Sequence, residues 1–132
     1  MRFTIYQESR IGQRTSNQDR IAHSYSRDAL LMLVADGMGG HAHGELAAQL
    51  AVQHIALAFQ HEARPMLADP ALFLSRAMMG AHNAILDHAL DPGLRAAPRT
   101  TLVACVVQHG AAFWAHAGDS RLYLLRRGHI VT

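Results

Sequence analysis

The chain is poor in cysteine. Its 132 residues include one, Cys105, so an intramolecular disulfide and a cysteine-built zinc site are both excluded. Cys105 lies in the apolar run from Leu102 to Val107, where a buried, inert thiol is expected. Long apolar runs are missing as well. No stretch approaches the ~18 apolar residues needed to span a bilayer. Met1-Arg2-Phe3-Thr4-Ile5-Tyr6-Gln7-Glu8 has no apolar core of signal-peptide length. No membrane association is expected, and the cytoplasm is the expected compartment. Charge of one sign is also scarce. The net charge is +2 with histidines neutral, and Arg126-Arg127 is the longest Lys/Arg run. The ten histidines are scattered, so nucleic acid is not an expected partner. Several signatures are absent too: a His-Glu-x-x-His pair, a phosphate loop, a dinucleotide fingerprint and a Gly-x-Ser-x-Gly elbow. There are no repeats, low-complexity tracts or linkers.

What is present is globular. Half of the residues are hydrophobic and 17% are charged, which suits one domain or part of one. Phe3 to Gln7 alternates as a half-buried strand does, and Ile21 to Ser26 reads as a second strand. Ala29 to Ala35 is a short continuous apolar run, expected as a strand buried on both faces and ending at Asp36-Gly37. From Gly44 to Glu62 the pattern turns helical. Gln49, Gln53 and Gln60, bordered by His54 and His61, make a polar stripe against a wide apolar arc. Asp69 is placed to cap a second helix, with Pro70 at its first position. Arg76, Asn83 and Asp87 mark its polar side; Phe73, Ala77, Ala81, Ala84 and His88 lie opposite. Asp91-Pro92-Gly93 is its expected end.

Strands then return: Thr100 to Gln108, a His109-Gly110 turn, Ala111 to Ala117, a break at Gly118-Asp119-Ser120, Arg121 to Leu125, an Arg127-Gly128 turn, and His129 to Thr132. Strands, two helices and more strands predict an α+β layered fold with antiparallel sheets.

Carboxylates at strand ends carry the chemistry. Asp36 follows the apolar run and opens a turn with glycines at 37, 39 and 40. Hard divalent cations favour carboxylate and carbonyl oxygens, and glycine lets the backbone come close. Asp-Gly-x-Gly-Gly is equally ordinary turn chemistry. Asp119 repeats the theme in Gly118-Asp119-Ser120-Arg121 and is also explicable as a turn. In Arg14-Thr15-Ser16-Asn17-Gln18-Asp19, Arg14 offers a bidentate phosphate contact, or is a solvated arginine. His41 and His43 beside the glycines are expected to be partly exposed and not ligands. His116 is expected to pack in the hairpin, and Ser120 has no recognisable triad partners.

Three segments together resemble the PP2C (PPM) family of metal-dependent protein serine/threonine phosphatases, in its bacterial branch. They are Arg14-x-x-Asn17-Gln18-Asp19; Val34-Ala35-Asp36-Gly37-Met38-Gly39-Gly40, with Gly44-Glu45 opening the next helix; and Thr100-Thr101-Leu102 leading to Ala117-Gly118-Asp119-Ser120-Arg121-Leu122-Tyr123. The resemblance implies a PP2C-like α/β/β/α sandwich of two antiparallel sheets flanked by helices. It implies hydrolysis of phosphoserine and phosphothreonine in proteins by a water activated by Mn²⁺ or Mg²⁺. By position, Asp36 would bridge metals and Gly37 would offer its carbonyl. Asp19 would hold a metal-bound water, Asp119 would help bind an additional ion, and Arg14 would grip the substrate phosphate.

Met38 stands where some members carry a histidine proposed as general acid, so that role is not carried over. The family's domain is longer, and its C-terminal half supplies further metal-binding aspartates. Residues 1–132 are therefore expected to be the N-terminal part of a single domain, incomplete at the C-terminus. The expected partner is a phosphorylated protein, of the kind a bacterial Ser/Thr kinase makes, and a monomer is expected. The alternative is a catalytically inactive phosphatase-like module that binds a phosphoprotein or regulatory partner.

Overall fold

The computed structural model describes residues 1–14, 16–38, 43–89 and 98–132. Strand β1 (Asp19–Tyr25) and strand β2 (Ala29–Met38) form an antiparallel hairpin, followed by helices α1 (Gly44–Glu62) and α2 (Pro70–Ala89). Strands β3 (Arg99–Thr100), β4 (Leu102–Gln108) and β5 (Ala111–Ala117) return to the sheet, and β6 (Leu125–Arg126) pairs with β7 (His129–Ile130). The sheet runs β1-β2-β4-β5, with β3 also paired to β2 and every pairing antiparallel. Of the expected two-sheet sandwich, the described residues form one helix-covered antiparallel sheet, with a separate two-stranded ladder, β6-β7.

Both helices cover one face of the sheet. Leu31, Leu33 and Ala35 of β2 and Leu102, Ala104 and Val106 of β4 point into a core with Ala48, Ala51, Val52, Ile55 and Phe59 of α1 and Phe73, Leu74, Ala77 and Ala81 of α2. Fully burying side chains such as Ile55, Phe59 and Leu31 contributes roughly 1.5–3 kcal/mol each. Phe59 and Phe73 meet edge to face at 6.1 Å between ring centroids, an arrangement the ring quadrupoles favour. Gly80 of α2 lies where a Cβ would stand 2.2 Å from His54 Nε2, so a side chain there would require the His54 ring to move.

The helices follow the sequence pattern closely. Gln53, Gln60 and His61 are exposed, Gln49 and His54 half-buried. Asp69 caps α2: its Oδ1 accepts the Leu72 N–H at 3.0 Å. Along the side expected to be apolar, Phe73, Ala77 and Ala81 are buried and Ala84 is half-buried, but His88 is exposed. The expected stop at Asp91-Pro92-Gly93 lies outside the described residues.

The strands depart more. β2 is buried on both faces only at its start: on the face away from the helices, burial falls from Leu30 at 5% exposed to Val34 at 41%. It also runs past Asp36, since Gly37 and Met38 pair with Thr100 and Arg99 of β3. Phe3 to Gln7 forms no ladder. It is held through side chains instead, Phe3 edge-on to Tyr25 and Gln7 Oε1 2.7 Å from His23 Nδ1. The expected strand from Arg121 to Leu125 is reduced to Leu125–Arg126. Both predicted tight turns form, with positive φ at His109, Gly110, Arg127 and Gly128, the conformation that two-residue hairpin turns require. Cys105 is buried, and burial pushes its thiol pKa up. Among the described residues no helix is long and apolar enough to cross a membrane.

Candidate functional site

The site forms where β1 starts and β2 ends. Asp19 lies directly across from Asp36 in the register of the two strands. Both main-chain groups of Asp36 turn the other way, toward Thr101: Thr101 N–H donates to Asp36 O at 2.9 Å, and Asp36 N–H donates to Thr101 Oγ1 at 3.2 Å. Gly37 N–H instead reaches back to Gln18 O at 3.1 Å. Asp19 and Asp36 are therefore a non-hydrogen-bonded pair, whose Cα atoms approach to about 4.5 Å and whose side chains share one face. That is the face turned away from the helices.

Two carboxylates directly opposite each other repel. The effect shows on Asp36, whose carboxyl is held above the ordinary carboxylate range. Partial burial is the first cause, followed by a hydrogen bond with Asp19 and the negative charges of Asp19 and Asp119; the Arg14 charge pulls the other way. A protein keeps such an arrangement where a cation or a proton resolves it.

Local structure holds each group. Asn17 Oδ1 accepts the Asp19 N–H at 3.0 Å, and Asn17 Nδ2 donates to Ser9 Oγ at 2.9 Å, an Asx turn that sets Asp19 at the head of its strand. Arg20 Nη1 donates to Asn17 O at 3.0 Å and Asp19 O at 2.7 Å, and Arg20 pairs with Glu45 of α1 at 3.7 Å. Gly37 is glycine for a steric reason: a Cβ there would stand 2.2 Å from Gly44 O and 2.8 Å from Gln18 O. The first turn of α1 thus packs directly on the strand end.

Arg14, Asn17, Asp19, Asp36 and Gly37 line one cleft of about 410 Å³. Four of the five site residues read from the sequence are thereby brought together. Asp119 does not line that cleft. It sits exposed in the turn after Gly118, whose φ of +95° is the left-handed region glycine favours, and its charge still reaches Asp36. Among the described residues no group of three or more His, Cys, Asp or Glu side chains is arranged to hold a metal. The Asp19–Asp36 pair fits a hard cation as an anchor, by its oxygen donors and its mutual repulsion, and supplies two carboxylates toward a shell.

Neither His43 nor His116 lines the cleft. His43 is half-buried ahead of α1. His116 is exposed, contrary to the expected packing, because it points to the face away from the helices. Gly39, Gly40 and His41 lie outside the described residues. Thr101 and Ser120 were not legible as site residues; the signal was register, since Thr101 falls opposite Asp36 once β2 is paired through Val34–Val103 and Gly37–Thr100.

A family profile described as protein phosphatase 2C matches residues 6–132. Protein phosphatase PhpP of Streptococcus pneumoniae is 30% identical over 118 residues, covering 88% of this chain and 48% of PhpP. Serine/threonine protein phosphatase PstP of Mycobacterium tuberculosis is 37% identical over 118 residues, covering 89% of this chain and 21% of PstP. A crystal structure of the PstP catalytic domain in complex with two manganese ions superposes with a TM-score of 0.70 at 34% identity, covering 90% of this chain and 50% of that one. The chain spans about half the length of the first of these relatives and less of the second.

Proposed function

Because the chain belongs to the protein phosphatase 2C family, we propose that it serves metal-dependent hydrolysis of phosphoserine and phosphothreonine in proteins, with residues 1–132 as the N-terminal part of one catalytic domain. The observation that carries this reading is the opposed Asp19–Asp36 pair facing a cleft shared with Arg14. In it, Asp36 and the Gly37 carbonyl would hold the cation, Mn²⁺ or Mg²⁺, Asp19 would hold a metal-bound water, and Asp119 would help bind an additional ion. A divalent metal bound there supplies neutralisation of phosphate charge and a water of lowered pKa. Arg14 binds the phosphate through its planar fork of donors, while Asn17 and Arg20 keep Asp19 in place. The protein works in the cytoplasm as a monomer, on proteins that a Ser/Thr kinase has phosphorylated.

The test is phosphate release from phosphoserine and phosphothreonine peptides, with Mn²⁺ binding followed separately by calorimetry. The expected result is Mn²⁺-dependent turnover, with Asp36→Asn losing Mn²⁺ binding and at least about a hundredfold in rate, in the range of metal-site losses. Absence of Mn²⁺ binding by the wild type overturns the reading.

A second reading is a non-catalytic module that docks phosphoproteins. It is favoured by the lack, among the described residues, of a group of three or more acidic, histidine or cysteine side chains arranged to hold a metal. Phosphopeptide binding without turnover, abolished in Arg14→Ala, selects it; equal binding by Arg14→Ala discards it.

A further inference from the structure

Thr101 interrupts the sheet between β3 and β4 at the residue facing Asp36. In an ordinary hydrogen-bonded antiparallel pair, two residues exchange N–H and C=O groups. Here half of the exchange is kept, Thr101 N–H to Asp36 O at 2.9 Å. The other half is replaced: Asp36 N–H goes to the Thr101 hydroxyl at 3.2 Å, and the Thr101 carbonyl takes the Thr100 hydroxyl at 2.8 Å. The Thr101 hydroxyl also shares a hydrogen bond with Ser120 Oγ at 2.5 Å. Its methyl group lies under Gly118, where an added Cβ would stand 2.7 Å from Thr101 Cγ2. Thr101 is 2% exposed. One side chain thus touches the backbone of Asp36 and both neighbours of Asp119.

We propose that Thr101 is a positioning residue for the metal centre, its hydroxyl tying the strand end that carries Asp36 to the turn that carries Asp119. A ladder carbonyl would satisfy Asp36 N–H equally well, but only a side-chain hydroxyl also reaches Ser120. The substitution of hydroxyl for carbonyl adds a side-chain tie between two carboxylate-bearing segments that the sheet otherwise joins only through the β4 ladders. Groups that orient metal ligands in this way commonly govern affinity by 10- to 100-fold. The inference rests on the metal-dependent reading above.

The test compares Thr101→Val, which keeps the shape and loses the hydroxyl, with Thr101→Ser, which keeps the hydroxyl, and with Ser120→Ala. Two readouts besides activity are taken on each: Mn²⁺ affinity by calorimetry and hydrogen exchange of the Asp36 amide by NMR. Thr101→Ser is expected to match wild type within about threefold. Thr101→Val is expected to lose about tenfold or more in Mn²⁺ affinity and to expose the Asp36 amide to exchange. Ser120→Ala is expected to weaken Mn²⁺ without exposing that amide. The double variant should be no worse than Thr101→Val alone, since the two hydroxyls act as a unit. A folded Thr101→Val that binds Mn²⁺ like wild type overturns the proposal. If Thr101→Val does not fold, Ser120→Ala decides: unchanged Mn²⁺ affinity overturns it. Wild-type protein that binds no Mn²⁺ overturns the metal-centre reading with it, whereas normal wild-type binding with indifferent variants overturns the Thr101 role alone.

Discussion

Asp36 concentrates the residue-scale physics. Its carboxyl is raised by partial burial, by its hydrogen bond with Asp19 and by two neighbouring negative charges. The folded protein therefore keeps a proton over a pH range where the unfolded chain has released it. Stability contributed by that proton is full at low pH and is lost as pH rises from the ordinary carboxylate value of 3.8 through the raised one. In metal-free protein, Asp36→Asn removes the repulsion and should stabilise at neutral pH by roughly 0.2–1 kcal/mol, the scale of a directly opposed like-charge pair. Urea melts between pH 4 and 7 check this: the wild type should lose stability across the range relative to the variant. A variant less stable than wild type at pH 7 without metal would contradict the repulsion. Sequence alone singled out Asp36 and Gly37 and expected the glycine to let the backbone come close. What it left open is the neighbour, since the backbone of Gly44 that Gly37 admits is a contact that no local pattern encodes.

At the scale of elements, legibility followed periodicity. The helices are long, strongly patterned and, for α2, capped by a recognisable Asp-Pro start, so α1 and α2 begin where the sequence says. Strand limits depend on partners. β2 extends through Met38 because β3 arrives to pair with it, and Phe3 to Gln7 stays unladdered despite correct alternation because, among the described residues, no strand pairs with it. The connection between the helices is held by a contact that composition also hides. Gln108, at the end of β4, donates to Leu67 O at 2.9 Å and accepts from Leu67 N–H at 3.0 Å, with the side chain buried. Gln108→Leu fills similar space and leaves both Leu67 groups without their partner. The expected cost is about 1–3 kcal/mol for each group left buried and unpaired, read as a lower urea midpoint with unchanged slope. Gln108→Glu should recover only the half of the contact that accepts the Leu67 N–H. A Gln108→Leu protein as stable as wild type would mean that the loop is held by other groups, such as the Pro65 carbonyl that accepts from Asp28 N–H and the Ser26 hydroxyl.

For the whole molecule, the two faces of the sheet have different partners. One is sealed by α1 and α2. The other carries Ile21, Met32, Val34, Val103 and Cys105, which line a cavity of about 360 Å³ with Ile5, Tyr6 and Gln7 on one side and Arg121, Leu122 and Tyr123 on another. The N-terminal segment therefore works as a cover rather than as a strand. Its grip is the Phe3–Tyr25 contact at 5.5 Å and the Gln7–His23 hydrogen bond, with Ile5 half-buried between them. Alternation in Phe3 to Gln7 was legible because a cover must also place apolar residues on one side; what it lies against was not, because that depends on strands far along the chain. Ile5→Ser should loosen this segment at a cost of roughly 1–2 kcal/mol, less than full burial of an isoleucine provides. It should also raise binding of a hydrophobic dye to the uncovered face. The same variant should leave hydrogen exchange in α1 and α2 unchanged, since their core lies on the other side of the sheet. Exchange that accelerated equally in both layers would instead mean that the segment supports the whole domain.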